Sequence, residues 1–388
     1  MPVQDKGSLE ERVRRYSAER YFLAITDIAY LAVLLFAFVR SGLSVSLAVF
    51  LQALDLAPKF LSSVYPSGDF FLMPLYVLSI SVGYYMLSFP LNFYRSYILE
   101  RKFSLSKQKL SDWLMDQVKS AFIGFIISLI LIRAFYFVLK HYPVHWWVVI
   151  SLFWIILSLI LAKLTPTLII PLFFKYRKLT DEALRERILN LAQKMKVRIL
   201  DVFEIDFSKK TLKANAAFVG VGKTRRVILA DTLKDKYTHD EIEVILAHEF
   251  AHYKLRHLLK LILVNSAVTL LIFYIIFKTN RLVLDAFGLA NLSDLAALPV
   301  VLIYFVLFGL FMQPLEAFMS RFMEKNADKL ALKITGDKDA FISMMEKLAA
   351  QNLADRKPHP LIKFFFFDHP PIDERINMAK NTQEGRQV

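Results

Sequence analysis

Six apolar stretches of membrane-spanning length constrain this chain more than any other feature of it. They run near residues 21–40, 70–93, 119–140, 145–172, 257–278 and 298–319, against the ~20 residues that an α-helix needs to cross a hydrocarbon core. That core holds no water to satisfy backbone N–H and C=O groups, so such stretches must fold as helices. A weaker stretch, 43–57, is short and carries Gln52 and Asp55; it reads as an interfacial or partly buried helix, with a seventh span as the alternative. The expected architecture is mainly α: a polytopic membrane helix bundle of six or seven spans.

Composition agrees, with 56% hydrophobic and 14% aromatic residues. The net charge of +14 is then read as cytoplasmic loops and headgroup contacts of a multi-pass protein in a lipid bilayer, with no nucleic-acid partner. Arg12, Arg14, Arg15 and Arg20 precede the first span and Arg95, Arg101, Lys102, Lys107 and Lys109 follow the second, whereas Arg40 and Lys59 alone lie between them. The positive-inside rule therefore places the N-terminus in the cytoplasm, and six crossings place residues 173–256 and 320–388 on that same side. The chain divides into N-terminal spans (1–172, four or five of them), a polar module (173–256), two further spans (257–319) and a C-terminal segment (320–388). The polar start through Arg20 does not read as a cleavable signal peptide.

Within 173–256, a helix is expected after Thr180 and Asp181, with Leu184, Ile188, Leu191 and Met195 on one face, followed by strands at 199–205, 216–221 and 226–230. Next comes His248-Glu249-Phe250-Ala251-His252. Residues four apart share a helix face, so both imidazoles can bind one metal ion while Glu249 serves as general base, the pattern of a zinc hydrolase. Thr238 and Glu241 read as a capping box that opens this helix. With no cysteine in the chain, the remaining ligand must be His, Glu or Asp. Glu324 and Asp328, four apart beyond the last span, offer one carboxylate for the metal and one for the outer N–H of a metal-bound histidine. His239, His257 and His359 read as surface or capping residues, because three protein ligands and a water complete a catalytic site.

Two further features need a reading. Ala217 to Thr224 satisfies a relaxed phosphate-loop pattern, but Arg226-Val227-Ile228-Leu229 is strand-like where that loop must open a helix, so no ATP partner is expected and the glycines turn a hairpin. Asp27, Arg133, Lys163 and Glu316 fall within or near spans, where charge must face water or a partner; Arg133 is expected to face the bundle interior near Asp27, in a wet cavity or as a structural pair.

Five blocks together resemble the type I CAAX prenyl protease family, integral-membrane zinc metalloendopeptidases with the HtpX-type heat-shock proteases as distant relatives. They are Ile170-Pro171-Leu172-Phe173-Phe174-Lys175-Tyr176, Ala214-Asn215-Ala216-Ala217-Phe218, the run from His248 to His257, the block from Ser320 to Asp328, and His369-Pro370-Pro371-Ile372-Asp373-Glu374-Arg375. The resemblance implies one Zn2+ per chain, held by His248, His252 and Glu324, with Glu249 as base and Asp328 as partner of a ligating histidine. It also implies an edge strand at Asn215 and Ala216 that pairs with substrate backbone, His369 and Arg375 near the substrate or the developing oxyanion, and spans enclosing a water-filled cavity. Two departures stand out: Asp368 replaces the serine usual before the His-Pro-Pro run, and the region before residue 70 is shorter than in long eukaryotic members.

The function so implied is hydrolysis of peptide bonds in prenylated CaaX-type or membrane-associated proteins, the substrate being a peptide or protein, prenylated or not. The alternatives are a membrane quality-control protease without prenyl preference and a non-proteolytic zinc-containing channel or scaffold. The catalytic segments are expected in the cytoplasm, on the plasma membrane of a prokaryote or the endoplasmic reticulum of a eukaryote.

Overall fold

A computed structural model of the protein describes residues 8–54, 69–220 and 225–382. Among these, six helices are long and apolar enough to cross a membrane: Leu9–Arg40, Phe71–Lys102, Leu110–His141, Trp146–Phe173, His257–Ala286 and Leu295–Thr335. Each matches an expected span, starting no more than one residue inside it, and runs beyond it at one or both ends, because the apolar pattern marks only the part that meets lipid. Two of them loosen locally at prolines. Wide helical turns at Tyr94–Ile98, after Pro90, and at Thr165–Ile169, which contains Pro166, take up the bend that a missing N–H imposes.

The short helix Leu43–Ala53 is 11 residues long, or about 17 Å at the α-helical rise, roughly half a hydrocarbon core. It is partly buried, as expected: Ser44 is fully buried and meets the Tyr76 hydroxyl at 2.8 Å and the Ala296 carbonyl at 2.5 Å, whereas Leu43, Val49 and Phe50 are exposed. Asp55 lies outside the described residues. Asp27 is paired with Arg95 at 2.5 Å, so the partner expected from Arg133 comes instead from the end of the second span.

A four-stranded sheet stands between the fourth and fifth spans, in the order β1 (Tyr176–Lys178), β2 (Val202–Ile205), β4 (Arg226–Ala230), β3 (Ala216–Val219). β1 had no period-2 signal, being three residues long, and it pairs antiparallel with β2 through Tyr176 and Ile205. β3 and β4 form the expected hairpin, with Ala216 opposite Leu229 and Gly220 at a φ of +98° where the chain turns; residues 221–224 lie outside the description. Glu182–Lys194, capped by Asp181, buries Leu184, Ile188 and Leu191 against the sheet's core.

The zinc-pattern helix, α1 here, runs His239–Lys254, and its capping box is present in full, with Thr238 and Glu241 exchanging side-chain and backbone bonds. α2 is the span His257–Ala286 and α3 the long helix Leu298–Thr335, which contains Pro314 and joins the last span to the first part of the segment beyond residue 320. Ala247 and Ala251 on α1 and Ala327 and Ala331 on α3 are fully buried in a single apolar core. Small side chains let these helices approach closely, and this fixes how far apart their polar residues lie. The first turns of Leu9–Arg40 sit at the same end of the bundle, where Lys213 reaches the Tyr16 hydroxyl at 2.9 Å and Tyr21 reaches Asp355 at 3.1 Å.

Candidate active site

The two imidazoles of α1 and one carboxylate of α3 converge on a point. His248 Nε2 and His252 Nε2 are 3.0 Å apart, and the Glu324 oxygens stand 3.1 Å from the first and 3.2 Å from the second. Ligand atoms of a tetrahedral zinc site, with bonds near 2.0–2.1 Å, are separated by ~3.3 Å, so these three side chains fit a metal ion with adjustments of a few tenths of an ångström. Glu324 Oε2 is buried and makes no well-directed hydrogen bond among the described residues, its polar neighbours being the Nε2 atoms of His248 at 3.1 Å and His369 at 3.3 Å, a position in which a cation would stabilise it. The surroundings favour positive charge. Burial works against a protonated His248, yet Asp328 and Glu324 outweigh it and raise the imidazole to about 9.

Glu324 and Asp328 divide their work as their positions on α3 dictate. Glu324 faces the Nε2 atoms, while Asp328 Oδ1 meets His248 on its other side, 2.8 Å from Nδ1, though bent away from a straight hydrogen bond. Glu249 lies close enough to His248, His252 and Glu324 to feel their charges. Burial pushes its carboxyl above the ordinary value, against the pull of His248 and His252, and the Phe218 backbone N–H lies against it. A carboxylate made more basic in this way is suited to take a proton near neutrality.

β3 presents a free edge next to α1. The Ala230 N–H donates to the Asn215 carbonyl at 3.0 Å, and the alternation of an antiparallel pair then turns the N–H and C=O of Ala216 and Phe218 away from β4. Ala216 is thus placed to pair with an extended peptide. The Asn215 carbonyl is not, although its side chain is exposed.

His369 reaches the site. Its Nε2 is 3.3 Å from Glu324, and its Nδ1 is 2.8 Å from Asp368, the residue in place of the usual serine. Arg375 stands one layer further back than expected: it is buried, and its Nε and Nη2 bind both Asp328 oxygens at 2.7 and 2.6 Å. A guanidinium fork matches a carboxylate edge, so Asp328 and Arg375 form a two-bond pair.

His257 departs from the surface or capping position expected of it. It is 3% exposed rather than on the surface, and its Nδ1 lies 2.9 Å from His252 Nδ1. On a continuous helix residues five apart point about 140° away from one another, so spacing alone excluded the contact. A break at Arg256 creates it. His239 bonds Asp181 at 3.2 Å and His359 caps Pro360–Phe366, as surface and capping residues do.

A bundle of spans with two histidines and a glutamate at metal-ligand spacing beside Glu249 is the arrangement of a membrane-embedded, metal-dependent peptidase. The profile of Peptidase family M48 matches residues 178–383, and that described as "CAAX prenyl protease N-terminal, five membrane helices" matches residues 7–175. The chain belongs to peptidase family M48 and is a multi-pass membrane metalloprotease. Among the described residues of 7–175 there are four long spans and the shorter, partly buried helix Leu43–Ala53. The chain is 30% identical over 375 residues to a Bacillus subtilis protein described as the uncharacterized metalloprotease YhfN, covering 96% of this chain and 85% of that one. CAAX prenyl protease 1 of Saccharomyces cerevisiae is 28% identical over 321 residues, 78% of this chain and 70% of that one. The crystal structure of S. mikatae Ste24p shares the fold, with a TM-score of 0.85 at 23% identity over 96% of this chain and 89% of that one.

Proposed function

We propose that this protein is a zinc endopeptidase that hydrolyses prenylated CaaX-type proteins at the membrane, with His248, His252 and Glu324 as the zinc ligands. The observation that carries the proposal is the convergence of these three side chains at ligand spacing beside Glu249, on a chain whose spans match the CAAX prenyl protease N-terminal profile. Residues 173–256 and 320–388 form the catalytic part and the remainder the membrane part. By the positive-inside rule the catalytic part faces the cytoplasm.

Zinc held by these ligands supplies a Lewis acid that polarises the scissile carbonyl and acidifies water. Glu249 takes the proton of the attacking water on its carboxylate and later passes it to the leaving amine nitrogen. The Ala216 N–H and C=O hold the substrate backbone as an added strand, and the Asn215 side chain contacts it nearby. His369 Nε2 donates to the developing oxyanion, an interaction worth about 2.7–4 kcal/mol for a well-placed donor. Asp328 and Arg375 keep His248 oriented.

The test is cleavage, by detergent-purified protein, of matched peptides with and without a farnesylated C-terminal cysteine, with Glu249→Ala as the blank. Preference for the lipidated peptide is expected. Equal cleavage of both would replace the prenyl-specific reading with general membrane-protein proteolysis, and no cleavage despite bound zinc would overturn the peptidase mechanism.

A further inference from the structure

We infer that His257 is a positioning residue for the metal site, holding His252 in the tautomer that presents its Nε2 lone pair to the ion. The inference rests on the zinc-site reading above and adds a residue to it. Both ring nitrogens of His252 are engaged: Nε2 faces His248 and Glu324, and Nδ1 faces His257 Nδ1 at 2.9 Å. Two imidazole nitrogens at that separation share one proton, since one must donate and the other accept. An imidazole that binds metal through Nε2 carries its proton on Nδ1, so His252 is the donor and His257 the acceptor, with the His257 proton on its own Nε2.

The backbone is bent to make this contact. α1 ends at Lys254, Arg256 adopts the left-handed conformation at φ +55° and ψ +37°, and His257 opens α2. A non-glycine residue is disfavoured there, so the surrounding packing must sustain the break. Its effect is to fold the first side chain of α2 back over the last turn of α1, with the two rings at 76° and 4.9 Å between centroids. Each ligating histidine then has its own outer partner: Asp328 for His248 and His257 for His252. The first is a carboxylate and the second a neutral imidazole, which adds no negative charge to the site.

The experiment compares zinc affinity, by competition with a chromophoric chelator, in detergent-purified wild type and the variants His257→Asn, His257→Gln and His257→Leu. Asparagine can place an acceptor oxygen where Nδ1 stands, whereas glutamine places it at the Nε2 position and leucine provides none. We expect His257→Asn to stay within a few-fold of wild type and the other two to bind about 10–100-fold more weakly. The visible spectrum of the cobalt-substituted proteins should change in the same order. Unchanged affinity in all three variants, or equal loss in Asn and Gln, overturns the inference. Thermal midpoints of the metal-free proteins separate misfolding from lost affinity, and if His257→Leu does not fold, the Asn and Gln pair decides. A wild type that takes up no zinc overturns both this inference and the reading beneath it, whereas a zinc-binding wild type with unaffected variants overturns this one alone.

Discussion

Asp328 and His248 are joined at 2.8 Å between Oδ1 and Nδ1, and the same carboxylate is held from behind by Arg375. Asp328 is 1% exposed at its side chain and Arg375 9%, so removing one partner strands the charge of the other. Arg375→Ala should lower stability by about 3–5 kcal/mol. Arg375→Lys should recover only part of it, since an ammonium cannot span both carboxylate oxygens. Asp328→Asn should weaken zinc binding by about 10–100-fold. Thermal midpoints and chelator competition measure the two effects; an Arg375→Ala protein as stable as wild type would show that the pair is not needed.

Glu249 stands beside the group formed by His248, His252 and Glu324 rather than within it. Glu249→Gln should therefore retain stoichiometric zinc while kcat falls by at least about 100-fold, the lower end of what a positioned base contributes. Elemental analysis and peptide turnover on one preparation test this. Turnover at the wild-type rate would remove Glu249 from proton transfer.

The free edge of β3 makes an unusual prediction. Ala216 points its N–H away from β4, so Ala216→Pro should leave the sheet intact while removing one bond to the substrate. We expect kcat/KM to fall about tenfold, the equivalent of one hydrogen bond, with zinc content unchanged. Ala217→Pro, whose N–H faces β4, should instead destabilise the module. Equal effects at the two positions would argue against substrate pairing along this edge.

Glu241 links the stability of the zinc helix to pH. Burial works against its carboxylate, but Lys347, Ser343 and the Thr238 N–H outweigh it and hold the group below the ordinary value of 4.5. A carboxyl with a lowered folded-state pKa contributes stability above its unfolded pKa and loses it as pH falls through the folded one. Glu241→Gln should cost about 1–3 kcal/mol at pH 7, and the gap from wild type should narrow as pH drops below about 4.3. Melting curves at several pH values check this; a gap that widens in acid would reverse the assignment.

Metal removal by a chelator should abolish turnover and lower the thermal midpoint, because zinc bound only to the folded chain stabilises it by mass action. Zinc should restore both. A midpoint indifferent to zinc would mean that these side chains do not bind it.

What the sequence determined by itself about this protein is whatever depends on neighbours along the chain. The spans follow from runs of apolar residues that no other structure could place in lipid. The start of α1 follows from Thr238 and Glu241, and the common face of His248 and His252 from a spacing of four on a helix. Family blocks extended this reading to Glu324, which no local rule could choose over Asp328. Tertiary structure decided everything that turns on which surfaces meet. The packing of α1 on α3 aims Glu324 at the Nε2 atoms and Asp328 at the outer nitrogen of His248. The helix Ile372–Asn381 delivers Arg375 to Asp328, and Asp27 finds Arg95 on the second span. A left-handed residue at Arg256, with no glycine to announce it, brings His257 onto His252. Each of these contacts depends on a few ångströms of helix placement, which buried packing sets and local periodicity does not encode.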